Sequence, residues 1–348
     1  MRTATAKGGA VLLAALLLIT LPWWVSGSYY INLASQILLF AVLALALNVL
    51  VGYGGLVSLG HAGLFAVAGY TAALMMENGY GHLAADLSAL VVVLVASAVF
   101  GVLALRTTGI GFIMITLALG QIVWGIAYRW AGLTHGDNGV NVASRPEPFG
   151  ISLSGATPFY FATLAVFVVA LATMVVFVRS PFGASLRGTR DQARRMNALG
   201  FNVWLIRFLA FLFSGFWTGV AGLLFIYYNS FISPQVAALQ VSAEALLMVI
   251  SGGTGTLLGP IAGSTIVVIM KNVVFIDHCD AQSALFPVCE FLRQALTHWN
   301  MMLGLVFVAI VVFMPEGLVP GSVRLCKLAW QGWRRRPPAA APAGERAS

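Results

Sequence analysis

The chain carries ten long apolar runs, near residues 9–26, 30–51, 55–76, 88–105, 110–131, 158–178, 204–228, 239–253, 258–276 and 296–314. Crossing a hydrocarbon core of about 30 Å takes roughly 20 apolar residues in a helix. Ten such runs in 348 residues leave no room for a separate soluble domain. Only 9% of residues are charged, against about a quarter in soluble domains. The predicted fold is all-α: a polytopic transmembrane helical bundle of about ten spans filling residues 1–321. The eighth run is short, and a glycine-rich stretch, Ser251 to Pro260, separates it from the ninth. That stretch reads either as a loop or as a re-entrant break, tolerated only where protein or a water cavity surrounds it.

Charge gives the orientation. The formal net charge of +8 fits the positive-inside rule better than nucleic-acid binding. With Arg2 and Lys7 inside and ten crossings, fifteen of the nineteen basic residues fall inside. Arg129, Arg145, Lys271 and Arg293 fall outside or near it, with seven acids from Glu77 to Glu290. Both termini are therefore expected in the cytoplasm of a bacterial inner membrane protein. Residues 10–25 resemble a signal peptide, but Pro22-Trp23-Trp24 reads as an interfacial anchor, which favours an uncleaved first helix. Residues 322–348 read as a basic, disordered cytoplasmic tail, with Arg334, Arg335 and Arg336 held at anionic lipid.

The most polar interruption spans about 179–203. It holds Arg179, Arg187, Arg190, Arg194 and Arg195 against a single acid, Asp191. Pro181-Phe182-Gly183 is expected to stop the preceding helix, and a short amphipathic helix is expected at about 189–199. Arg190, Arg194 and Asn197 then share one face, with Ala193 and Met196 on the flank. Gly200 is placed to close the helix in a left-handed cap. Such a helix either lies on lipid or docks into a partner's groove.

Within the spans, His61 stands beside Ser58 and Gly60 in a glycine-rich run. An ionisable group at membrane depth is a functional-site hypothesis, set against a histidine bonded to a neighbouring helix. Thr116 and Gln121 are polar and able to satisfy each other or the backbone. Glu244 lies near a span end and is expected to face water. Gly252, Gly253 and Gly255 allow kinks, unwinding or close packing. Together these nine positions are the candidates for a pathway or gate. Neither the histidines nor Cys279, Cys289 and Cys326 fall at metal spacing, so no metal site is expected. Cys279 and Cys289 share an outer loop and are candidates for a disulfide. No G-x-x-x-x-G-K-[ST] occurs, so nucleotide phosphates have no lysine to meet them. No enzyme chemistry is expected of this chain, and any ATP coupling comes from another one.

Residues 186–202, LRGTRDQARRMNALGFN, resemble the cytoplasmic coupling loop of ABC importer permeases. The match falls on Arg187, Gly188, Thr189 and Arg190, on Asp191 and Ala193, and on Ala198, Leu199 and Gly200. Arg194 lies within it. Arg195-Met196-Asn197 departs from the family's Ala-Ala-Glu. Four further blocks resemble the LivM-type branched-chain amino acid permease: GGLVSLGHAGLFAVAGYTAAL at 54–74, IGFIMITLALGQIV with LTHGDNGV at 110–140, GGTGTLLGPIAGS at 252–264, and MPEGLVPG at 314–321. The resemblance implies a type II ABC importer-like bundle, with inverted repeats. It also implies a second related permease subunit, two cytoplasmic ATPase subunits that bind ATP and Mg, and a periplasmic substrate-binding protein. Cofactors in this chain are expected to be none. The alternatives are a sister permease for urea, short amides or a sugar, and a stand-alone secondary transporter or channel.

Overall fold

The computed structural model describes residues 27–142 and 153–273, with scattered positions within 18–24 and 304–321. Within 27–142 and 153–273 ten α-helices follow one another: α1 Ser28–Asn48, α2 His61–Glu77, α3 His82–Ala104, α4 Ile110–Arg129, the single turn α5 Ala131–Thr134, α6 Ala156–Arg179, α7 Pro181–Ala198, α8 Val203–Asn229, α9 Leu239–Gly252 and α10 Gly259–Val273. A π-helical turn, Val49–Gly54, prolongs α1. Two short strands, β1 Val140–Asn141 and β2 Phe231–Ile232, pair antiparallel.

Five of the described helices are long and apolar enough to cross a membrane: α1 with its π turn, α3, α4, α6 and α8. The chain is a multi-pass helical membrane protein. Helices α2, α9 and α10 have 17, 14 and 15 residues. At 1.5 Å per residue they reach only about 21–26 Å, short of a full crossing alone. The runs at 9–26 and 296–314 lie largely outside the described residues.

Burial shows which helix is central. In α1 94% of the apolar window is buried, against 33% for α3 and α6 and 22% for α4. Around it pack α6, α8, α9 and α10. Helix α3 shows the opposite pattern. It buries Ala85, Ala89, Val93, Ser97 and Ala104 at close to four-residue spacing, while Val91, Val95 and Val99 stay exposed for lipid. Small residues on the buried stripe bring α3 close to α8: the Ser97 hydroxyl donates to the Phe211 carbonyl at 3.3 Å.

The bundle has two unlike ends. One carries α7, the end of the π turn and the Gly253–Leu258 connection. The other carries the β1–β2 pair, the His135–Glu77 contact at 3.3 Å and the Tyr227 hydroxyl donating to Asp86 at 2.6 Å.

Candidate functional site

Helix α7 begins where the chain changes from apolar to basic. The Ser180 hydroxyl accepts from the Gly183 amide at 3.2 Å, and Pro181 stands in the first helical turn. Proline there is preorganised, and serine satisfies an orphan donor. Pro181 therefore starts a helix immediately after α6 ends, rather than only stopping one, and α7 opens some eight residues before the expected 189. A second difference follows. Gln192 leaves helical geometry (φ −150°, ψ 85°), so α7 is two short helices joined by a kink. Arg190 and Arg194 thus do not share the continuous face expected of them. Gly200 does take a left-handed conformation, φ +86°.

Three guanidinium groups bind α7 to the bundle. Arg187 donates to the Val178 carbonyl at the end of α6, at 3.2 Å. Arg207, from α8, donates to the Thr189 carbonyl at 2.8 Å. Arg190 donates to the Gly52 carbonyl in the π turn of α1. Two of the acceptors lie where helix carbonyls lack intrahelical partners and the dipole favours a cation. Leu186 and Thr189 are fully buried beneath α7. Gly188 packs against Met196 across the kink. On the outer face Asp191, Arg194, Arg195 and Ala198 are exposed. Ala193 is half-buried, Leu199 is 65% exposed and Phe201 45%.

The acceptor of Arg190 lies in a junction built from glycine. Gly52 approaches the Gly255 backbone so closely that any Cβ would overlap it. Asn48, fully buried, holds this approach: its Nδ2 donates to the Thr256 carbonyl at 2.8 Å, and its Oδ1 accepts from the Gly255 amide at 3.1 Å. Gly253 and Gly255 turn the chain at positive φ, +115° and +77°. Among the described residues the Gly252–Pro260 stretch is therefore a tight turn between the α9–α10 helix pair, packed against the end of α1 through Gly255 and Thr256. Gly317 abuts the Gly252–Gly253 backbone. Sequence segments far apart thus meet at one point: the end of α1, the basic loop, the 252–260 stretch and Gly317.

His61 heads α2 and is fully buried. Its Nε2 lies 2.9 Å from the Ser214 hydroxyl on α8, and its Nδ1 lies 3.0 Å from the Ser58 hydroxyl. Ser214 spends its own proton on the Ala46 carbonyl at 2.6 Å, so it accepts from Nε2–H. Ser58 donates to Nδ1 and accepts from the Gly60 amide at 3.3 Å. The network assigns a neutral imidazole whose two nitrogens are both satisfied. Thr116 closes the same corner, accepting from the Leu59 amide at 3.2 Å and donating to the Ile113 carbonyl at 2.9 Å. Gln121, half-buried on α4, takes no part in it. This geometry ties α1, α2 and α8 together. His61→Ala is expected to destabilise the protein by about 2–4 kcal/mol, through a cavity and two lost hydrogen bonds. Thermal unfolding in detergent checks this, and a wild-type melting curve would count against the network.

A family model described as "Branched-chain amino acid transport system / permease component" matches residues 29–311. The chain belongs to that permease family. The LivM permease of the high-affinity branched-chain amino acid transport system of Salmonella typhimurium is 26% identical over 88% of this chain and 74% of its own length. The Escherichia coli LivM protein has the same identity and coverage. The autoinducer 2 import system permease protein LsrC of Salmonella paratyphi B is 27% identical over 69% of this chain and 65% of its own length. No solved structure matches the chain significantly.

Two further positions on the permease complete the picture. Glu244, expected to face water, is instead 5% exposed and ion-paired to Lys271 of α10. The α9–α10 pairing, closed by the glycine turn, brings the two together. Gln240 also donates to Glu244, at 3.2 Å. Cys279 and Cys289 lie outside the described residues. Sequence reasoning missed Asn48, Gly52, Ser214 and Lys271 as site residues. Asn48 was visible as the one amide between residues 37 and 51 of an apolar run, and Lys271 as a cation ending a span.

Proposed function

We propose that this chain is a permease subunit of an ATP-driven ABC importer of branched-chain amino acids in a bacterial inner membrane. A second related permease completes the pathway. Two ATPase subunits, which hold the ATP and Mg, dock at α7, and a periplasmic binding protein delivers substrate. The observation that carries the reading is the two-sided character of α7. Its inner side is fastened through arginines to α1, α6 and α8, while Arg194 and Arg195, and Leu199 and Phe201 just beyond its end, are exposed. Exposed basic and apolar groups at a helix fixed to the bundle suit a partner that moves it. LsrC keeps open a sister activity on another small solute, and substrate competition separates the two.

The test is coexpression with candidate ATPase, sister-permease and binding-protein subunits from the same genome. A stable complex and binding-protein-dependent leucine uptake on ATP are expected. Uptake of leucine without ATPase subunits, or no ATPase in the purified complex, would defeat the proposal. Arg194→Glu with Arg195→Glu should lower ATPase co-purification by about tenfold or more, since like charges placed at a docking rim repel. Arg190→Ala leaves that face intact and should not.

A further inference from the structure

A cavity of about 340 Å³ opens at the end of the bundle opposite α7. Five helices meet around it. Phe40 of α1, Phe65 of α2 and Phe225 of α8 form an aromatic wall, with ring centroids 6.5 Å apart for Phe40–Phe225 and 5.2 Å for Phe65–Phe225. Facing them are Glu244 of α9 and Lys271 of α10, paired with each other. We propose that this cavity is a recognition subsite for an apolar α-amino acid in its zwitterionic form. Glu244 takes the ammonium, Lys271 the carboxylate, and the phenylalanines the side chain. The proposal rests on the importer reading and names the residues that would select its substrate.

Three physical points support it. A largely buried ion pair contributes little stability over apolar residues of similar volume, so its presence beside a cavity needs another reason. The volume is at the small end of ligand pockets, and the lining sets the aromatic wall against polar groups, Gln36, Asn229, Gln235 and Gln240 beside Glu244 and Lys271. The charge arithmetic is specific. A zwitterion inserting between Glu244 and Lys271 exchanges one ion pair for two and leaves no charge orphaned. A simple amine engages only Glu244 and a simple carboxylate only Lys271, so each breaks the existing ion pair and makes only one in return.

The placement also suits transport. Glu244 and Lys271 lie on the two helices joined by the Gly253–Leu258 turn. That turn is the segment held against the π turn of α1, where Arg190 binds. A change at α7 therefore reaches the ion pair through two rigid helices, and shifting α9 against α10 alters the separation of the two charges.

The experiment uses the assembled importer in proteoliposomes. Glu244→Gln with Lys271→Gln, and the exchange Glu244→Lys with Lys271→Glu, each leave no unpaired charge in the cavity. Both should raise the KM for leucine at least about tenfold while ATPase co-purification is unchanged. Leucine uptake by these variants within twofold of the parent would overturn the subsite and leave the importer reading standing. Absence of leucine uptake by the parent would defeat the importer reading. A second measurement decides the subsite independently, on the full-length chain in membranes. Val241→Cys places a thiol on the cavity wall. L-Leucine should slow its labelling by a maleimide, relative to the three native cysteines. 3-Methylbutylamine and 4-methylpentanoate should not. Equal protection by all three, or by none, would overturn the proposal.

Discussion

Gly52→Ala is expected to destabilise the protein by about 2–5 kcal/mol and to abolish leucine uptake, while Gly54→Ala leaves both near wild type. The two glycines are neighbours in one π turn, but their surroundings differ. A Cβ on Gly52 would overlap the Asn48 side-chain oxygen and the Gly255 backbone nitrogen, and the backbone has no rotamer with which to yield. A Cβ on Gly54 would meet a Leu186 methyl at 3.5 Å, an ordinary contact. To accept alanine at position 52 the glycine turn must withdraw from α1. Asn48 then loses its bonds to Thr256 and Gly255 and stays buried with its amide unpaired. Overpacking costs about 1–3 kcal/mol and an unsatisfied buried polar group a similar amount. Melting temperature in detergent and uptake in proteoliposomes measure the effect. Equal behaviour of the two variants would show that the close approach is not required.

How far the sequence foretold this arrangement varies with the range of the interaction. The apolar runs map onto helices because lipid leaves the backbone few other choices. The left-handed cap at Gly200 was readable because it needs only local geometry. The burial of α1 was not, since Leu and Ala suit a lipid face and a protein core equally well. Ser180-Pro181 carried a start signal for α7 that the arginine pattern downstream obscured. The kink at Gln192 has no signal, because glutamine is an ordinary helix former. His61 and Ser58 are three apart and readable together, but Ser214 is brought by the packing of α8 against α2. Glu244 was misplaced for a related reason. Its partner lies 27 residues on, and the pairing exists only because the glycine stretch makes a tight turn rather than an extended loop.

That turn and α7 meet at Arg190, which makes it the residue whose loss should separate ATP hydrolysis from transport. In Arg190→Ala, α7 keeps its bonds through Arg187 to α6 and from Arg207 on α8. Arg194 and Arg195, exposed on the outer face, are untouched. The ATPase subunits of the proposed importer should therefore bind and hydrolyse ATP. The link to the π turn of α1 is gone, however, and with it the contact beside Gly255. A hydrogen bond from a charged donor contributes about 1.5–3 kcal/mol, or roughly ten- to a hundredfold in the balance between a latched and an unlatched helix. Leucine uptake should fall by about that factor at nearly constant ATPase activity. Arg190→Lys keeps the stem that packs across Gly55 and one donor group, so it should fall between the two. If uptake and ATPase activity fall together in Arg190→Ala, the residue serves docking. If neither falls, force passes from α7 through α6 and α8 instead.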